Sequence, residues 1–241
     1  MNLVIDIGNS VTKLAVYHRD KLWDSRHLDS FEETRLEQIL SESPGIERCI
    51  LSSVRKENPA LIKLLKNSFR LFIKLDHKTP IPIDNRYTSK STLGYDRIAA
   101  AVGANGIFPG RNLLVIDAGT AITIDLVTAD GAYMGGNISP GINMRFRALH
   151  EFTDNLPLVG MAIKSTLFGK DTESAIRAGV VNGMIFEIQG YIHEQKSRYT
   201  DLQVVMTGGD ANIFDKKLKN SIFVDSNLNL FGLHRILEYN A

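Results

Sequence analysis

The stretch Val4–Tyr17, VIDIGNSVTKLAVY, decides the fold together with its cousin at Val115–Thr128, VIDAGTAITIDLVT. In each, an apolar β-branched run ends in an aspartate, turns at a glycine and leaves as a second strand, the pattern of a hairpin. Asp6 and Asp117 are 111 residues apart in a chain of 241, so the second copy begins near the middle. A single Asp-x-Gly turn is common. Two of them, at half-chain spacing and in the same order of elements, indicate a duplicated unit.

The surrounding segments extend the repeat. In the first half, LWDSRHL adds a third strand, and a helix carries Phe31, Leu36, Ile39 and Leu40 at helical spacing. CILSSV is a strand, Pro59 opens a helix, and RLFIKL is a strand, giving β-β-β-α-β-α-β. The stretch from Lys78 to Arg97 has no strong periodicity and reads as a loop of functional length, followed by the helix DRIAAAVGANGIF. FPGRN is a turn pair and marks a seam, dividing the chain into domains 1–110 and 111–241. The second half repeats the hairpin and third strand. It then predicts a helix at NMRFRALHEF, a long helix from Asp171 to Tyr199 and a strand at QVVMTGG. DANIFDKKLKN and LFGLHRILEY follow as helices. The fold class is α/β, with a cleft between two related halves.

Composition narrows the function. The formal net charge is +1, from 28 basic and 27 acidic residues, so there is no basic excess to bind nucleic acid. Cys49 is the single cysteine, which excludes an intramolecular disulfide and a cysteine metal site. The six histidines show no metal-ligand spacing. The first residues do not form a signal peptide, and no window approaches the ~20 apolar residues of a membrane span. The expected location is the cytoplasm, with no membrane or nucleic-acid partner.

The paired turns favour a nucleotide. Successive amides in a glycine turn form an anion-binding nest suited to phosphates. Ser10 and Thr12 add hydroxyls and Lys13 a movable positive charge, while Thr120 and Thr123 add hydroxyls in the second copy. An aspartate before each turn can hold a cation directly or through water, as Mg²⁺ prefers beside phosphates. P-loop and dinucleotide-binding glycine patterns are missing. The clusters GGNISPG and TGGDA are common strand-to-helix connections, and they also leave room for a base or a sugar against the backbone. In GYDR, Asp96 is either a helix cap, with Arg97 solvated, or the acceptor of a substrate hydroxyl proton. The residues alone leave both readings open.

DIGNS with Lys13, GYDR, DAGTAITID, GGNISPG and TGGDA occur in the order found in type III pantothenate kinases, and the sequence resembles that family over nearly its whole length. The family lies within the acetate and sugar kinase, Hsp70 and actin superfamily. The resemblance implies duplicated actin-like (ribonuclease H-like) βββαβα domains around an ATP cleft. It also implies ATP-dependent phosphorylation of pantothenate to 4′-phosphopantothenate, the first step toward coenzyme A. By motif, Asp6, Ile7, Gly8, Asn9, Ser10, Val11, Thr12, Lys13 and Thr120 would bind ATP, with Asp6 holding Mg²⁺ through water. Asp117 would hold a monovalent cation, K⁺ or NH₄⁺. Asp96 would be the general base. Tyr87, Gly94, Tyr95, Asp96, Arg97 and Thr172 would contact pantothenate, and Thr172 can at the same time be an ordinary first-turn helix residue. The protein would be a homodimer. The rival expectation is a non-catalytic actin-like or Hsp70-like ATP-binding regulator, which needs no acceptor pocket.

Overall fold

Strand β1 (Asn2–Ile7) is the middle strand of a five-stranded sheet, order β3-β2-β1-β4-β5, in a computed structural model. The model describes all residues except 10, 30, 32, 56, 57, 163–165, 216, 219 and 220. Strands β2 (Thr12–His18) and β3 (Lys21–Leu28) follow as an antiparallel meander. Strands β4 (Arg48–Ser53) and β5 (Leu71–Lys74) run parallel to β1. Parallel neighbours need crossovers, which α1 (Glu33–Glu42) and α2 (Pro59–Ser68) supply. Alternation along the strands divides the sheet into two faces. Leu3, Ile5, Leu14, Val16, Cys49 and Leu51 pack against Leu36, Ile39 and Leu65 of these two helices.

The opposite face is covered by the last helix, α7 (Leu228–Tyr239), which packs on β1, β2 and β4 and runs against α3 (Tyr95–Ile107). Tyr17 of β2 stacks on His234 with ring centroids 4.2 Å apart. His234 is fully buried, and desolvation pushes its imidazole below the ordinary value. The sequence groups this helix with residues 111–241. In the structure Met1–Pro109, Gly131–Met134 and Asn227–Ala241 form one compact unit, and Gly110–Asp130 with Gly135–Ser226 form the other. Burial of Leu228, Leu230, Leu233, Ile236 and Leu237 places α7 in the first unit.

The second unit is built around β7 (Leu113–Ala118), in the order β11-β10-β7-β8-β9. Strand β8 (Ala121–Val127) makes the hairpin with β7, and β10 (Gln203–Thr207) runs parallel to β7 on its other side. Helices α4 (Ile142–Glu151) and α5 (Thr172–Arg198) pack on one face. Leu114, Ile116, Ile122, Ile124, Val204 and Met206 meet Phe146, Met184 and Ile188 there. Strand β9 (Ala132–Pro140) starts in the first unit, where Ala132 and Tyr133 pair with Asp84 and Asn85 of β6 (Asp84–Asn85). The segment predicted as one long loop therefore contains this strand and a 3₁₀ turn at Lys90–Thr92. The helix predicted over DANIFDKKLKN is confined to α6 (Ala211–Asp215), because Phe223 and Val224 are drawn into β11 (Phe223–Val224) beside Val205 and Met206. Among the described residues no helix is long and apolar enough to cross a membrane.

Candidate active site

Asp6 stands on the α7 face of the first sheet, since Leu3 and Ile5 take the other face. In register it lies beside Lys13 on β2 and Ser52 on β4. Asp6 is buried, at 8% exposure. The Ser52 hydroxyl is fully buried and has no hydrogen-bond partner among the described residues. Leaving such a group unsatisfied costs about 1–3 kcal/mol, a penalty that a bound water or ligand oxygen removes. A buried carboxylate beside an orphaned hydroxyl suits a hydrated Mg²⁺ and a phosphate. The turn beyond Asp6 is closed by Gly8 N–H donating to the Val11 carbonyl at 3.1 Å. The Arg55 guanidinium donates to the Asn9 carbonyl and brings a cation to the phosphate turn. Val11 is exposed. Ile7 and Thr12 turn their side chains to the α1/α2 core, so the hydroxyl expected from Thr12 does not share a face with Asp6. Ser10 lies outside the described residues.

The second hairpin is one residue tighter. Its last pair is Ala118 with Ile122, whereas the first ends at Ile7 with Thr12. The sequence repeat equates Thr12 with Thr123, but Thr123 stands opposite Asp117 as Lys13 stands opposite Asp6. On its other side Asp117 neighbours Thr207. A carboxylate between two threonines is an all-oxygen donor set, which suits a hard cation. Among the described residues no three His, Cys, Asp or Glu side chains form a metal-holding group, so such an ion would rest on one carboxylate with hydroxyl, backbone or ligand oxygens. Thr120 is exposed at the turn, and its carbonyl accepts from the Gly141 amide at 3.1 Å.

Gly208 has φ +97°, and a Cβ there would lie 2.5 Å from Asp117 Oδ1. The turn after β10 therefore passes directly over the carboxylate. Gly141 and Gly208 serve close backbone packing rather than leaving space for a base or sugar. Gly209 does have open space, with nothing within 4 Å of a Cβ. Burial raises the neighbouring Asp210 carboxyl above its ordinary value.

The GYDR segment belongs to the first unit. Gly94 is the N-cap of α3, with Tyr95 following it, and Asp96 lies inside the first turn. Asp96 is thus not the cap; its Oδ1 accepts from the Arg97 amide at 2.8 Å. Arg97 is not solvated but 4% exposed, with its guanidinium carbon 5.6 Å from the Tyr87 ring centroid. Tyr87 N–H donates to Asn85 Oδ1 at 3.0 Å. α3 packs against β4, the strand of Ser52. Thr172, in the second unit, is the exposed first residue of α5 behind the N-cap Asp171, and Asp171 and Ser174 form a reciprocal capping box.

A Cβ on Gly94 would overlap the Asp96 carboxylate. Gly94→Ala is therefore expected to fold but to turn Asp96 out of place and lower kcat about 10–100-fold, within the range ascribed to a misplaced acid or base. Steady-state kinetics with a thermal melt check this; an unchanged kcat contradicts it.

Ser52 and Arg55 were not legible as site residues. Ser52 had one usable signal: it ends an apolar parallel strand, and ligands gather at the carboxyl ends of such strands. Arg55 reaches the Asn9 turn through a tertiary contact and had none.

A hairpin feeding parallel strands through crossover helices, built twice, is the actin-like plan. With the Asp6 turn and Asp96 both in its first unit, the chain fits an ATP-dependent small-molecule kinase of that class. A family profile described as type III pantothenate kinase matches residues 2–194. The chain is 48% identical over 240 residues to a type III pantothenate kinase of Phocaeicola vulgatus, covering 100% of this chain and 99% of that one. It is 46% identical to that of Bacteroides fragilis, covering 100% and 98%. A solved Campylobacter jejuni chain assigned to the Baf family of transcriptional activators superposes with TM-score 0.62 at 25% identity, covering 99% and 98%. A glucokinase from an Antarctic psychrotroph shares the fold at TM-score 0.54, covering 100% and 99%. The chain belongs to the type III pantothenate kinase family.

Proposed function

We propose that this chain transfers the γ-phosphoryl group of ATP to the primary hydroxyl of pantothenate, giving 4′-phosphopantothenate for coenzyme A synthesis in the cytoplasm. The observation that carries the reading is Asp96, held at the start of α3 beside the buried Arg97 in the unit that also carries the Asp6 turn. Asp96 takes the hydroxyl proton as the oxygen bonds to the γ-phosphorus. The bond to the bridging oxygen breaks, and its electron pair leaves with ADP. The Asp6–Lys13 turn and Thr120 bind the phosphates, Lys13 offsets their charge, and Asp6 would hold Mg²⁺ through water. When bound, Mg²⁺ neutralises charge on the β- and γ-phosphates. Tyr87, Gly94–Arg97 and Thr172 hold pantothenate, and the working form is a homodimer. An ATP-consumption assay across a panel of small alcohols tests this; turnover that ignores pantothenate would refute it.

Asp117, between Thr123 and Thr207, is assigned to K⁺ or NH₄⁺. Asp117→Ala is expected to remove the activation by K⁺ while the melting temperature moves by only a few degrees. A K⁺ titration of the variant that matches the parent curve would remove Asp117 from that role.

A further inference from the structure

Tyr133 has no part in the site described so far, yet its surroundings converge on the acceptor pocket. It is the fully buried second residue of β9. Its ring lies 6.2 Å from that of Tyr87, tilted by 53°. Arg97 also approaches the Tyr87 ring. The backbone makes the same connection. Asn85 pairs with Tyr133, and the Arg86 amide donates to the Tyr133 carbonyl at 3.0 Å. One step earlier, the Asp84 amide donates to the Gly131 carbonyl at 2.9 Å. The chain leading into Tyr87 is therefore fixed by a short ladder on β9, and the Tyr87 ring is backed by the one large side chain on that ladder.

We propose that Tyr133 is a positioning residue for pantothenate: its buried ring holds Tyr87 in the orientation in which Tyr87 and Arg97 together receive the acceptor. The inference rests on the assignment of Tyr87 and Arg97 to pantothenate. A half-buried tyrosine on a loop would otherwise sample several rotamers, and each acceptor molecule would have to select the competent one. Backing by an aromatic ring removes that selection step. Tyr133 acts on acceptor binding, because its ring contact and its ladder lead to Tyr87.

The test combines kinetics and calorimetry on the full chain. Tyr133→Leu is expected to raise KM and Kd for pantothenate about tenfold, the scale of one lost aromatic contact, while KM for ATP stays within twofold. Tyr133→Phe, which keeps the ring, is expected to restore pantothenate KM to within about twofold. Because the effect passes through Tyr87, Tyr133→Leu should add little in a Tyr87→Ala background. Should Tyr87→Ala leave pantothenate binding unchanged, the assignment of Tyr87 to the acceptor fails. Should Tyr87→Ala weaken binding while Tyr133→Leu adds its full effect on top, or raises both KM values together, Tyr133 is only a core residue and the inference is overturned.

Discussion

Asp96→Asn is expected to abolish most turnover, lowering kcat by about 10²–10⁴-fold, while ATP still binds with the parent affinity. The asparagine keeps the size of the side chain and its carbonyl oxygen can still accept from the Arg97 amide, the 2.8 Å bond that orients the native carboxylate. What it loses is the capacity to take a proton from the attacking hydroxyl. Phosphoryl transfer otherwise depends on positioning and charge neutralisation, which this substitution leaves in place. The loss should therefore fall on kcat, with little change in pantothenate KM. Turnover within a factor of about ten of the parent would be too much for a missing general base.

Gly232→Ala is expected to produce the largest loss of stability. A Cβ at this position in α7 would overlap the Ala99 carbonyl of α3 and lie 2.9 Å from the Gly103 nitrogen. Both are backbone atoms of a packed helix, so no side-chain rotation relieves the clash and the helices must separate. Overpacking of this kind costs about 3 kcal/mol, which for a chain of this length lowers Tm by about 10 °C. Gly190→Ala on α5, where nothing lies within 4 Å of a Cβ, is the control and should be neutral or slightly stabilising. If the two variants melt together, the close crossing of α3 and α7 is not a source of stability. Since the first turn of α3 carries Asp96 and Arg97, activity of Gly232→Ala should fall along with its Tm.

The duplicated hairpins were legible because their signal is local. Alternating apolar residues, an aspartate and a glycine turn lie within a few positions of one another, and the strands they predict are β1, β2, β7 and β8. Asp96 was legible as a residue of interest but not as to role. A cap and a first-turn residue have the same sequence appearance, and the placement of Gly94 as the cap removes the first reading. The identical letters at Thr12 and Thr123 do not mark equivalent places in the two hairpins. Strand pairing is set by turn length, and the second turn is shorter.

By itself, then, the sequence determined the α/β class, the two carboxylate turns and the order of the main elements, all of which follow from contacts between near neighbours in the chain. Only the tertiary structure decided that α7 completes the first unit, that Ser52 stands beside Asp6, and that Tyr133 backs Tyr87. Those three pair residues tens to hundreds of positions apart. Their partners are chosen by sheet register and by which apolar face is left to cover, and neither is written in the residues on one side of the contact.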